Sequence, residues 1–270
     1  MGCWVLLPLL TGIVSIAGTW TVYGIALAHG HVCPLTNWEY NYTCPINTTT
    51  KCCTEKNMPY VSTSGVRFPE NSLYSAVLNA VAFLFVVLCV FRHAQIVEQK
   101  GDEMVLSKVA LIMGCFASVG GFLAGNCNLF AAQGIHYFGA SLCFVAACFY
   151  AVLQTVLTYK VRVTGKECFL APLRTVLVII EVLFSIIFVA FIIHPVLNYR
   201  HVGAIAEWVV CTNFHIFVMT LAFEFFSITS SVLHTLINKP EDEKVAILSD
   251  HKGVGDRVGA RPAPGSPASG

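Results

Sequence analysis

Six apolar stretches, each about as long as the 20 residues a helix needs to cross a bilayer, dominate this chain. They run from Val5 to Ala28, Ser72 to Phe91, Val105 to Gly125, Ile135 to Tyr159, Leu173 to His194 and Gly203 to Ile228. The predicted fold is all-α and integral to the membrane, a six-transmembrane-helix bundle. Composition agrees: of 270 residues, 56% are hydrophobic and 11% charged, against about 25% charged in soluble chains, which excludes a water-soluble globule. A net charge of +1, with no basic arm or RNA-binding motif, leaves nothing for a nucleic acid to bind. Ala26 and Ala28 have the form of a signal-cleavage site, but no positive charge precedes the first stretch and its apolar run is too long. It therefore reads as a retained span.

Cytoplasmic loops keep Lys and Arg, so their placement predicts orientation. Arg92, Lys100 and Lys108 lie around the second connection, Lys160, Arg162, Lys166 and Arg174 around the fourth, and five more after Asn238. The opposite side holds only Lys51, Lys56, Arg67 and Arg200. Twelve against four predicts that both termini are cytosolic.

The long loop spanning 29–71 then becomes an outer cap. Asn41-Tyr42-Thr43 and Asn47-Thr48-Thr49 are glycosylation sequons, and Cys33, Cys44, Cys52 and Cys53 cluster with them, chemistry that belongs to the outer, oxidising side. Four cysteines allow three pairings. A bond between adjacent Cys52 and Cys53 is strained, which leaves pairings that tie each to Cys33 or Cys44. Zinc is the competing reading, but no C-x2-C element is present and the disulfide-stapled loop is preferred.

Residues 1–238 are expected to form the membrane domain and 239–270 a disordered cytosolic tail, since its Gly, Pro, Ala and Ser mixture cannot form a core. Within the tail, Glu243 stands four residues before Ile247-Leu248, a spacing that resembles an acidic dileucine sorting signal. No internal repeat or matching pair of broken helices suggests an inverted-repeat transporter. No Gly-x-Ser-x-Gly, His-Glu-x-x-His or Walker loop is present, so an enzyme, a cofactor and a catalytic metal are not expected. His29 and His31 are read as lacking a matching carboxylate.

Charged groups in hydrocarbon need an explanation. Glu207 and Glu224 lie near opposite ends of the sixth span, where interfacial anchoring suffices. Glu181 lies about 12 Å into the fifth span at 1.5 Å per residue. Arg174 shares its face but is two turns away, so His215, at comparable depth in span six, is the expected hydrogen-bond partner. At 100° per residue Glu207 and His215 differ by about 80°, and Glu224 points away from His215, so no single polar stripe for an ion wire is expected. Gly114, Ala117, Ser118, Gly121 and Gly125 give span three a small-residue face for close helix packing.

Gly18-x-Trp20-x-x-Tyr23, His31-Val32-x-Pro34, Pro59-Tyr60-Val61-Ser62-x-x-Gly65, Pro69-Glu70, Asn79 and Arg92 form one set of motifs. Gly125-Asn126, His136-x-x-Gly139-Ala140 with Phe144, Tyr150 and Gln154, and Glu207-Trp208 with Glu224-Phe225 continue it. Together they resemble the Frag/DRAM/Sfk family of six-span membrane proteins over about residues 4–230. Phe68 and Cys127-Asn128 depart from the family pattern. The cap from Cys33-Pro34 through Asn37-Trp38 to Cys52-Cys53 resembles the transmembrane protein 150 branch. That resemblance implies a non-enzymatic regulator partnered with the lipid bilayer and with a peripheral phosphatidylinositol 4-kinase complex at the plasma membrane. Autophagy modulation at endosomal or lysosomal membranes is the alternative it implies, and a channel or mechanosensitive channel subunit is a third. Oligomeric state is not legible in the sequence.

Overall fold

The computed structural model describes residues 3–41, 52–99, 103–228 and 232. Cys44, Asn47, Glu243, Ile247 and Leu248 lie outside the described residues. The chain divides into two units, Met1–Ile228 and Thr229–Gly270. Helices α1 (Leu6–His29), α2 (Val61–Ser64), α3 (Glu70–Glu98), α4 (Met104–Asn126), α5 (Gln133–Lys160), α6 (Glu167–Ile192), α7 (Leu197–Thr220) and α8 (Ala222–Phe225) belong to the first. Six helices among the described residues are long and apolar enough to cross a membrane, the sixth running through α7 and α8.

The boundaries differ from expectation where polar residues are satisfied at helix ends. Helix α3 continues past Phe91 to Glu98 because Arg92 and Gln95 turn inward and are buried. Helix α6 starts at Glu167 rather than Leu173. The Glu167 side chain accepts the N–H groups of Val163 at 2.8 Å and Thr164 at 2.6 Å, organising the turn that enters the helix. At the other end of the bundle, α1 stops at Gly30, whose φ of 72° is left-handed. Gly30 N–H reaches Leu27 O and His31 N–H reaches Ala26 O, the paired bonds that satisfy orphan helix carbonyls and turn the chain into the cap.

Each long helix packs on its sequence neighbours, and α7 returns to α1, so the six spans form a closed ring. Its surface is inverted relative to a soluble protein. Ile13, Val119, Phe138, Val145, Ile186 and Val189 face outward, while Arg92, Arg174, Glu181, Glu207 and Glu224 are each at most 4% exposed. Lipid solvates the apolar exterior, and the polar groups are driven to find partners inside.

Small residues set the tightest helix contact, although the closest pair is not the predicted one. A Cβ on Gly120 would lie 2.4 Å from Cys143 N and 2.6 Å from Gly139 O, which brings α4 and α5 nearly to backbone contact. Gly114 and Gly125 instead meet Cys89 and Leu78 on α3. Gly120→Leu is therefore expected to separate α4 from α5 at a cost of about 1–3 kcal/mol or more, read as a lower unfolding midpoint in detergent. Gly121→Ala, whose nearest neighbour beyond its own helix is Cys143 Sγ at 3.6 Å, should be nearly neutral.

Candidate functional site

Three polar assemblies occupy the ring, and each gathers residues distant in sequence. The first lies at the end opposite the cap. Arg174, fully buried, donates from Nη2 to Glu224 Oε2 at 2.7 Å, from Nε to Thr220 Oγ1 at 2.9 Å and from Nη1 to Thr158 Oγ1 at 2.5 Å. A further bond joins its Nη1 to Glu224 Oε1. Arg92 donates to Gln154 at 3.1 Å and Gln95 at 2.7 Å, and its Nη2 faces Glu224 at 3.6 Å. Gln95 in turn donates to the Glu224 backbone carbonyl at 2.8 Å. One carboxylate thus serves two guanidiniums, in a forked geometry that suits arginine.

This network corrects two readings. Glu224 is 2% exposed and binds α3 and α6 to the α7–α8 corner, so it is no interfacial anchor. Arg92 and Arg174 lie buried inside helices rather than in loops. Equal depth could have flagged the pair: Arg174 lies two turns into α6 and Glu224 at the matching end of the antiparallel sixth span.

The second assembly is a chamber of about 170 Å³ on the ring axis, to which all six spans contribute. Glu181, Glu207 and His215 line it together. The expected hydrogen bond between Glu181 and His215 is not formed. Asn213 donates to Glu181 Oε2 at 2.6 Å and to Leu177 O at 2.9 Å, while His215 Nδ1 pairs with Cys211 O at 2.7 Å. Asn213 is two residues from His215 and thus on another face of α7, a difference of about 200° that depth alone does not reveal. Glu207 and His215 share the chamber through the intermediate position Cys211 despite their angular offset. The chamber is wide enough to collect both positions.

The third assembly docks the cap. Glu207, 4% exposed, accepts the Val61 N–H at 2.9 Å and so seats the N-terminus of α2 over the ring, another departure from interfacial anchoring. Trp208 Nε1 donates to Pro59 O at 2.9 Å, and its ring packs on Trp20 and Tyr23. Tyr23 accepts the Leu35 N–H at 2.9 Å, and His201 joins Leu35 O to Tyr40. Burial pushes the Tyr40 hydroxyl up to about 12 and, with the Glu207 carboxyl nearby, raises that of Tyr60 as well. Both stay protonated and neutral at physiological pH. His31, expected to lack a carboxylate, pairs with Glu70 of α3. Folding of the cap across α1 brings together residues 39 positions apart.

Cys33 and Cys53 form a disulfide with Cα atoms 5.9 Å apart, and Cys52 is also disulfide-bonded. Cys33 N–H donates to Asn57 O at 2.8 Å and Asn41 N–H to Cys53 O at 2.9 Å, so the staple sits within a hydrogen-bonded loop. Asn41 is exposed, as an acceptor for a glycan needs to be. Among the described residues, no group of three or more His, Cys, Asp or Glu could hold a metal ion.

The motif residues thus converge on these assemblies: His31 with Glu70, Pro59 with Trp208, Val61 with Glu207, Arg92 with Gln154 and Glu224. Residues 3–228 match the model described as the Frag1/DRAM/Sfk1/Cwh43P N-terminal domain. The chain belongs to this family. Transmembrane protein 150A of Homo sapiens is 34% identical over 86% of this chain and 88% of its own length. The Xenopus laevis protein of that name is 32% identical over 85% of this chain and 86% of its own. The protein named modulator of macroautophagy TMEM150B, from Xenopus tropicalis, is 30% identical over 87% of this chain and 91% of its own. No solved structure matches. Within its family the chain is a multi-pass membrane protein related to the 150A and 150B proteins.

Proposed function

We propose that this protein is a plasma-membrane adaptor that helps place a peripheral phosphatidylinositol 4-kinase complex and so supports synthesis of phosphatidylinositol 4-phosphate. The observation that carries this reading is the similarity to transmembrane protein 150A across 86% of the chain, the branch whose resemblance implies that partnership. The ring supports the reading physically. Its apolar exterior supplies a membrane address, and the Arg92, Arg174 and Glu224 network ties α3 and α6 to the α7–α8 corner. Both termini are cytosolic in this proposal, and the tail and short basic connections meet the complex.

Removing residues 239–270 is the direct test. In cells lacking the paralogues, the truncated chain is expected to reach the surface, yet to lower kinase recruitment and phosphatidylinositol 4-phosphate there by about half or more. Unchanged recruitment and lipid would exclude the tail as the docking element.

A second reading, modulation of autophagy from endolysosomal membranes, is favoured by the 30% identity to the protein named for macroautophagy. It requires residency away from the surface and dependence on Glu243, Ile247 and Leu248. An intact chain that stays at the cell surface, with autophagic flux indifferent to its loss, rules it out.

A further inference from the structure

The axial chamber holds more polar groups than the fold satisfies. Glu181 is 2% exposed, and Asn213 engages its Oε2, yet among the described residues nothing donates to Oε1. The hydroxyls of the buried Ser15 and Tyr74, and Nε2 of the half-buried His215, border the same space without a hydrogen-bond partner among the described residues. Buried polar groups are normally paired with protein, water or ligand, and a membrane interior makes leaving them unpaired more costly.

The arrangement of charge narrows the ligand. No Lys or Arg lines the chamber, so two carboxylates stand without a cationic partner there. Asn213, bonded to Glu181, is six residues beyond Glu207 on α7, which separates the two acids by about 9 Å along the axis. Between them the walls are apolar: Val210 and Phe214 of α7, Phe144 of α5 and Phe188 of α6. A polar cavity of about 80 Å³ at the cap end, lined by Asn71, Asn126 and Asn128, shares Ser62, Tyr74 and His136 with the chamber.

A volume of about 170 Å³ resembles that of cavities that take a molecule of about six heavy atoms, such as benzene. An acyl chain is too large, and a bare inorganic cation would leave the apolar middle uncontacted. We propose that the chamber binds a linear alkanediamine of about four carbons, one ammonium on Glu207 beneath α2 and the other on Glu181, through charge-assisted hydrogen bonds. His215 Nε2 accepts a hydrogen from the deeper ammonium, and the methylenes lie against the aromatic walls.

The test uses the full-length chain in nanodiscs of zwitterionic lipid, with 1,4-diaminobutane, 1-butylamine and potassium chloride compared at matched ionic strength by thermal shift and calorimetry. Saturable binding of the diamine, at least tenfold tighter than the monoamine, is expected, with no saturable response to potassium. The near-isosteric Glu181→Gln and Glu207→Gln should each weaken it at least tenfold, and Ala147→Leu, which adds bulk to the buried chamber wall, should do the same. Equal binding of the monoamine, a response to potassium alone, or no saturable binding would overturn the proposal, and those outcomes need no variant to fold. Diamine affinity unchanged in both glutamine variants would place the ligand elsewhere and overturn it as well.

Discussion

Glu224→Ala is expected to destabilise the bundle by about 3–5 kcal/mol, because it strands two buried guanidiniums whose shared carboxylate is gone. Arg174, with 0% exposure and four hydrogen bonds in this network, cannot reach solvent without unpacking α6 from α7. Arg92→Met should cost less, since Glu224 keeps Arg174. The double variant Arg174→Met with Glu224→Leu should be more stable than either single change, because it removes both partners instead of orphaning one. Reversible unfolding in detergent or bicelles measures all five. Additive losses across the Arg174 and Glu224 cycle would show that the pair is not coupled.

Replacing Cys33 and Cys53 together by alanine is expected to cost the cap about 3 kcal/mol of stability, the chain-entropy value for a closed loop of this size, given a sequence separation of 20. The loss falls on a segment that packs through Val32 and Val61 against Tyr23 and Trp208, and through Met58 against Leu197 and Ala204. Protease sensitivity between α1 and α2 should therefore rise while the spans stay protected. Export should fall too, read as a smaller fraction of mature glycoform on Asn41. A cap equally resistant to protease with and without the bond would mean that docking through Glu207 and Trp208 alone suffices.

Glu181 shows where reading a membrane sequence succeeds and where it stops. Its depth, and therefore its need for a partner inside the ring, followed from counting residues at 1.5 Å each. The partner did not. Asn213 and His215 are two residues apart and nearly equal in depth, and only the rotation of α7 against α6 selects the amide. Glu207 is the converse case. Its position near a helix end suggested headgroups, but α2 folds over it and supplies the Val61 N–H, a contact 146 residues distant in sequence that no local pattern encodes.

Span count, the apolar exterior, the cap with its cysteines and sequons, and membership of a six-span family were all legible from residue order. Hydrocarbon thickness and backbone hydrogen bonding leave a chain with six such stretches little other choice. Motif residues such as Arg92, Gln154, Glu207 and Glu224 were visible as unusual without revealing what they do. Only the tertiary packing, with α7 returning to α1 and the cap folding across α1, decided that Glu224 meets both Arg92 and Arg174, that His31 meets Glu70, and that two carboxyl groups face a common chamber. The physical reason is that helix periodicity specifies which way a side chain points, whereas its partner depends on the rotation and register of neighbouring helices, set by close contacts such as Gly120 against Gly139.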